Sequence, residues 1–549
     1  MKKTLWLSLI VVVMAFAFTS CTNIPSGGSN GLVVPPDIFN FSEGDYYEGV
    51  LNIGYTNYDQ ALRLVDQIDG IVQKHVPQIQ VFSVTFSGTV AEARIALEKA
   101  LNEHNALKDA VRYIEPSFKR TLVEPIKNDA VMSAERDEDI PDLEVYNWGS
   151  RMVKAPEAWA AGYTGDGVIV AVVDTGVDMT HPDLINQCIG GYAPYTETIL
   201  APATDHSQGV ESHGTHVSGT IAAENNGFGI TGIAYNAQIM NIRIFDDDCP
   251  DSYIGDIFVA AGLVWAVEHG AQVTNNSWGG KGYSNTLLDG FNYGLKENVI
   301  HVTSEGNDHV NAVMHPSAYP GMVNVAACTA TKGITNFSSR GQWLTVAAPG
   351  DFTILSTVPL WDLGEFVFEQ PYALYGGTSM ASPHVTGVIA LLIEKLEKSA
   401  PAANSSRAIP YTPYQIRKII ELGAEDIMAP GFDEDSGWGI VQADTSLAID
   451  IGTVEEGADL VVNAFTTDEI PLPGLYVTIK PKGFIAPEFY GKTNALGVLE
   501  FCELVPGEYD FYFGWLEGMD PMIQDGMHAV YELASGLTIT ITIEFTFLP

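Results

Sequence analysis

Between residues 143 and 451, six short apolar runs alternate with segments of helical spacing, and no other feature constrains the fold as strongly. The runs are VIVAVV, IMNIRIF, QVTNNSW, VIHVTS, VNVAAC and LTVAAP. Apolar residues occupy both of their faces, so neither face is built to meet water. Strands of that kind belong to a parallel sheet covered by helices, an α/β fold. Such sheets place reacting groups at the carboxyl ends of their strands. Asp174 follows VIVAVV directly and stands at such an end.

The flanks read differently. Residues 48–122 combine strand-like runs (EGVLNIGY, IQVFSVTFSG) with two segments of helical spacing, an α+β unit. Residues 123–142 turn acidic and polar and read as an exposed, cleavable linker. From 452 to 549 helical spacing vanishes, and LYVTIKP, VLEFCEL, EYDFYFG and LTITITIEF read as strands of an all-β sandwich.

At the start, Lys2 and Lys3 precede an apolar run from Leu5 to Phe18 that is shorter than the roughly 20 residues a spanning helix needs. Residues 1–21 therefore read as an export signal. Phe18-Thr19-Ser20-Cys21 has the form of a bacterial lipobox, with Cys21 as the lipidated residue and a lipid anchor in the membrane as the consequence. Residues 22–47 then serve as a flexible tether. Acidic residues outnumber basic ones 68 to 27, a formal charge of −41, which excludes nucleic acid as a partner class because phosphate binding needs basic patches. The chain is expected to act as a monomer. Five cysteines show no CxxC spacing, so zinc and dithiol chemistry are not indicated. Cys188 with Cys249 is the one pairing worth testing, and Cys328 reads as a buried thiol.

The triplet Asp174-Thr175-Gly176 has two catalytic readings: half of a carboxylate pair, or the acid that orients a histidine. No second DTG or DSG with apolar flanks occurs. SHGTHVSGTIAAE, from Ser212, and GGTSMASPHVTGVIALLIEKL, from Gly376, instead supply His213 and Ser379, each at the mouth of a helix. A serine hydroxyl needs a base to take its proton, imidazole titrates near neutrality, and a carboxylate on the far ring nitrogen holds the tautomer. Together the three stretches resemble the signature blocks of the subtilisin-like serine proteases, in that family's order Asp, His, Ser. The resemblance spans roughly 300 residues.

It implies a calcium-stabilised serine endopeptidase acting on proteins, with Asp174, His213 and Ser379 as triad. Asn307, after Gly306 in VTSEGNDH, would donate to the oxyanion. In NNSWGG, the backbone of Ser277, Trp278 and Gly279 would pair with an extended substrate, and Trp278 would wall the pocket for the residue before the cut bond. Glu305 stands where the family often has a small residue, which raises the expectation that basic side chains are tolerated. AAENNGFGITGIA contains a formal GxGxxG, but a helix precedes it, so a nucleotide site is rejected. The stretch resembles the family's calcium loop. Its ligands would be the Asn226 side chain and the carbonyls of Glu224, Phe228 and Ile230, with carboxylates from Asp183 and Glu144. The unit at 48–122 resembles the ferredoxin-like inhibitory propeptide of the family, a self-processing proenzyme being the consequence. The junction is expected between Ala130 and Leu143. The C-terminal part resembles a prealbumin-like sandwich. Two rival readings remain: a catalytically silent binding protein on this fold, and an adhesin whose business lies in the sandwich. Deleting the sandwich and assaying cleavage and attachment separately would tell them apart.

Overall fold

The structure is a computed structural model. It describes Met14–Phe16, Phe39 and, from Asp45 onward, all residues except 109, 123–125, 128–141, 202–211, 247–251, 311–313, 360–370, 400–409, 467–474, 483–488, 495, 515–527, 534, 537 and 548–549. Cys21 and Cys249 lie outside the described residues. Among the described residues no helix is long and apolar enough to cross a membrane.

The chain forms two compact units. One comprises 43–46 and 117–457, and the other 1–42, 47–116 and 458–549. The first holds an eight-stranded sheet. Its strand order is Thr198–Leu200, Cys188–Ala193, Gln238–Arg243, Ile169–Asp174, Val273–Asn276, Ile300–Ser304, Val323–Cys328, Val346–Pro349. All neighbours are parallel except the first pair. Ile169–Asp174 lies in mid-sheet, with Val170 to Asp174 fully buried, as its uninterrupted apolar run requires. The helix Thr378–Ser399 packs on His213–Ala222 and on the four strands from Val273–Asn276 to Val346–Pro349. It is buried from Thr378 to Ile393, which explains why its sequence is apolar on all sides. Asp256–Glu268 and Asn285–Lys296 pack against each other.

Residues 46–118, of which 47–116 lie in the second unit, build a four-stranded sheet in the order Ile71–Val76, Val81–Thr85, Tyr46–Tyr55, Val111–Phe118. The helix Val90–Glu103 opens on a capping box, Thr89 with Glu92, that satisfies two backbone donors reciprocally. This βαββαβ order is ferredoxin-like. The first strand begins at Tyr46, inside the stretch expected as tether. The C-terminal part supplies three strands of one four-stranded sheet and all four of another, around a core that includes Leu460, Val477, Phe501 and Phe511. Met14–Phe16, from the apolar run near the start, pairs with Phe545–Phe547 at one edge.

Candidate active site

Asp174 ends its strand and His213 begins its helix. Gly214 lets them meet, since a Cβ there would stand 2.2 Å from Gly176 O and 3.2 Å from Asp174 Cβ. Asp174 Oδ1 accepts from His213 Nδ1 at 2.8 Å and from Thr175 N–H at 2.7 Å. Both side chains are wholly buried. A carboxylate can only accept, so the proton of a neutral ring lies on Nδ1 and Nε2 becomes the basic nitrogen. Ser212 Oγ lies 2.6 Å from Tyr375 Oη, and the His216 ring stacks on Tyr375 at 4.5 Å. These contacts tie the start of the histidine helix to the strand Tyr372–Gly376, which runs straight into Ser379. His216 donates from Nε2 to Ile354 O and Ala373 O, and burial lowers its pKa to about 3, so it stays neutral.

Ser379 is the second residue of its helix, and Pro383 lies four residues on. Proline has no N–H, so the usual helical donor to the Ser379 carbonyl is missing. Ser277 Oγ supplies one at 3.2 Å and also meets Ser382 Oγ at 2.8 Å. Ser277 thus holds the turn at Ser379 through its side chain, a role that sequence reasoning, which assigned it a backbone role, missed. Asn307 Oδ1 accepts from Thr378 N–H at 3.0 Å and from Thr378 Oγ1 at 3.1 Å. Gly306 N–H donates to Thr378 Oγ1 at 3.1 Å. With its oxygen taken, Asn307 presents its Nδ2 donors beside Gly377, where a Cβ would stand 3.1 Å from Nδ2. Of the four residues expected to form the catalytic site, Asp174 is thus bound to His213, and Asn307 to Thr378, the residue before Ser379.

The segment expected to bind substrate already carries a strand from the same chain. Leu122 pairs with Trp278 and Thr121 with Gly279, antiparallel. Further on, Ile126 pairs with Gly376 and Lys127 with Tyr375, also antiparallel. The start of the expected exposed linker is therefore held on both sides, and residues 123–125 between the two pairings lie outside the described residues. Trp278 packs with Tyr253 and Phe291, each at 6.3 Å between ring centroids. That puts the indole on the Tyr253 side of the segment, and its expected role as wall of the pocket before the cut bond does not follow from this packing.

Glu305 is fully buried, with Oε1 accepting from Trp343 Nε1 at 2.7 Å and Oε2 from Asn324 Nδ2. Burial pushes its pKa up to about 8 against those two donors. The carboxyl is engaged behind the loop and neutral at neutral pH, so it gives no reason to expect tolerance for basic substrate side chains. It also sets a pH dependence. An acid whose pKa rises on folding favours the fold fully below its ordinary 4.5, and that contribution is lost as pH climbs through about 8. In the Ser379→Ala background, Glu305→Gln is expected to flatten the fall in melting temperature of this unit between about pH 5 and pH 9. An unchanged slope by calorimetry would contradict that.

The loop expected to bind calcium closes on Asp183. Oδ1 accepts from Asn226 Nδ2 at 2.9 Å, and Oδ2 accepts from Ile230 N–H at 3.1 Å and Tyr372 Oη at 2.8 Å. Gly229 (φ +60°) permits this approach, since a Cβ there would lie 2.2 Å from Asp183 Oδ2. Glu144 Oε2 accepts from Thr231 N–H at 2.9 Å. The Glu224 carboxylate accepts from Asn186 Nδ2 at 2.7 Å, and its carbonyl accepts from Asn226 N–H. Burial raises Asp183 to about 6 and lifts Glu144 as well. Among the described residues no three His, Cys, Asp or Glu side chains cluster as a metal group. Any ion here would be held largely by amide and carbonyl oxygens, a donor set that suits a hard cation.

Cys188 is a buried thiol on its strand, and burial pushes its pKa up; Cys249, its expected partner, lies outside the described residues. Cys328 is buried and free, as expected. Asp246 pairs with Arg243 at 3.0 Å and is nearly buried.

Comparison with known proteins places this site. Residues 165–439 match the description Subtilase family, and residues 36–117 match the Fervidolysin N-terminal prodomain. Fervidolysin of Fervidobacterium pennivorans is 36% identical over 580 aligned residues, covering 97% of this chain and 79% of that protein. Subtilisin E of Bacillus subtilis (strain 168) is 35% identical over 252 residues, 45% of this chain and 61% of that one. The crystal structure of fervidolysin, described as a keratinolytic enzyme related to subtilisin, superposes with a TM-score of 0.77 at 33% identity, covering 94% of this chain and 83% of that one. The chain belongs to the subtilase family of serine proteases and carries its own prodomain.

Proposed function

We propose that this protein is a serine endopeptidase in which His213 takes the proton of Ser379 Oγ as it attacks a peptide carbonyl. Asp174 steadies the imidazolium, and Asn307 Nδ2 donates to the oxyanion. The C–N bond then breaks as His213 passes that proton to the leaving amine, which leaves the acyl group on Ser379; His213 next takes a proton from the water that attacks the acyl carbonyl and returns it to Ser379 Oγ as the acid departs. The observation that carries this reading is the chain's own strand at Thr121–Leu122, paired antiparallel with Trp278–Gly279. That is how an extended substrate would be held, and it supports residues 117–127 as the inhibitory end of the propeptide. Strand pairing at 121–122 and at 126–127 leaves the span from Leu122 to Ile126 as the stretch to be cut first, upstream of the junction expected from composition. A later cut between Ala130 and Leu143 would trim the linker.

A serine-directed fluorophosphonate tests the chemistry. It is expected to label Ser379 and to abolish casein hydrolysis in step with labelling. Continued hydrolysis by fully labelled protein would rule out Ser379 as nucleophile. A processed chain inert to casein would favour the silent binding protein.

Calcium would be held by Asp183, Asn226, Glu144 and the carbonyls of Glu224, Phe228 and Ile230, where it supplies no chemistry but ties the loop to the start of the catalytic domain. Two buried carboxyls with raised pKa values favour a dication that restores their charge. At a hundredfold excess over Kd, calcium is expected to stabilise this unit by about 2.7 kcal/mol, or about 4 °C in Tm. The gain should shrink as pH falls below about 6, where protons compete for Asp183. Equal melting temperatures in calcium and in chelator would contradict it. Lys2, Lys3 and the apolar run before Cys21 support export with a lipid anchor on that cysteine.

A further inference from the structure

Arg120 belongs to the propeptide end, yet its side chain is fully buried against groups that follow it by more than a hundred residues. Nε and Nη2 donate to Asp256 Oδ1 and Oδ2 at 3.2 and 3.3 Å. Nη1 donates to Gly282 O at 2.7 Å and to Gly280 O at 3.3 Å. Tyr253 Oη donates to Asp256 Oδ1 at 2.8 Å. Asp256 is the first residue of the helix Asp256–Glu268, and Ser117 Oγ accepts its N–H at 3.2 Å. The two glycines keep the space open. A Cβ at Gly280 would stand 2.9 Å from Lys119 O and 3.2 Å from Arg120 Cδ, and one at Gly282 would stand 2.3 Å from Phe118 Cδ1.

Arg120 is followed at once by Thr121, which pairs with Gly279. Any peptide bound in the same register carries its corresponding side chain into the same place. We propose that Asp256, with Tyr253 and the carbonyls of Gly280 and Gly282, forms a substrate subsite selective for arginine, immediately N-terminal to the residue that pairs with Gly279. This rests on the endopeptidase reading and adds a side-chain preference to it.

The physical case is an asymmetry. All the accepting groups lie in 253–282 and remain when the propeptide leaves. A planar guanidinium meets the carboxylate with two donors and the two carbonyls with a third nitrogen. A neutral side chain in that place leaves the buried carboxylate with Tyr253 Oη but no counter-charge, and takes the guanidinium donor from Gly282 O, while Gly280 O keeps the N–H of His315; that penalty discriminates more strongly than any added attraction. Lysine brings a point charge that cannot match the fork. A buried ion pair is weak evidence of stabilisation in itself, so selectivity is the better account of why this one stands beside the substrate strand.

The test uses the full-length chain after self-processing, with casein and peptides of the form Xaa-Thr-Leu-Val-Glu-Pro, the protein's own sequence from position 120. Xaa is Arg, Lys, citrulline or Ala. The expected kcat/KM for Arg exceeds that for Ala and for citrulline by about 100-fold or more, with Lys in between. Asp256→Asn is expected to shrink the Arg to Ala ratio at least about tenfold. If that variant fails to fold, the wild-type ratio decides alone. Casein hydrolysis with equal kcat/KM for Arg and Ala overturns the subsite and leaves the protease reading intact, with Arg120 then an anchor for the propeptide only. Folded, processed protein that cuts neither casein nor peptide overturns the protease reading, and the subsite with it.

Discussion

Ser379→Ala is expected to lower turnover on casein by about 10⁶-fold and to leave the chain at its full length. The magnitude is that of removing the nucleophile in subtilisin, a member of the same family. It applies here because the same three groups act as a unit, so losing one removes nearly all that the triad provides. Alanine deletes Oγ, whose hydrogen bond to Ser277 O at 3.3 Å is long, while the Ser379 carbonyl keeps its donor from Ser277. The fold should therefore survive. Circular dichroism and a melting temperature close to wild type would establish that, and a residual rate within about tenfold of wild type would contradict the assignment.

Asp174→Asn is the second large effect. Asp174 Oδ1 accepts from both Thr175 N–H and His213 Nδ1. An asparagine with its oxygen in that place keeps both hydrogen bonds but carries no charge to steady the imidazolium; turned round, it offers its amide nitrogen to the ring, the proton moves to Nε2, and the base faces Ser379 with no lone pair to take a proton. The expected loss in kcat is about 10⁴-fold, as found for the same change in a serine protease of unrelated fold. KM should change little, since the substrate strand is held by Trp278 and Gly279. Steady-state kinetics on one peptide give both numbers, and a loss confined to KM would contradict the role.

The central strands were legible because they are buried on both faces, a condition that writes an uninterrupted apolar run into the sequence. Cys188–Ala193 and Thr198–Leu200 lie at the sheet edge, and Gly190, Gly191 and Thr198 break any such run. The hairpin Ile354–Thr357 with Tyr372–Gly376 escaped too, since its two strands are separated by more than ten residues of loop sequence. Asp174, His213 and Ser379 could be proposed from sequence because each sits in a long local motif. Arg120 with Asp256 was not: one follows Lys119 in a basic pair, the other opens an apolar helix, and only the folded chain brings them together. Ile126 and Lys127 were hidden by composition, because a strand that pairs through its backbone in a cleft needs no apolar pattern. Glu305 misled for the opposite reason. Its charge suggested a pocket, whereas its carboxyl is engaged by Asn324 and Trp343 and burial, against those two donors, keeps it neutral.

The measurement that bears most directly on this account is the intact mass of the fragments formed when the wild-type full-length chain is incubated with calcium, beside Ser379→Ala. The account requires a fragment ending between Leu122 and Ile126 in the wild type, and its absence from the variant. The same fragments from both chains, or a first cut that leaves the stretch from Leu122 to Ile126 intact, would contradict a cleft loaded with its own propeptide and served by Ser379.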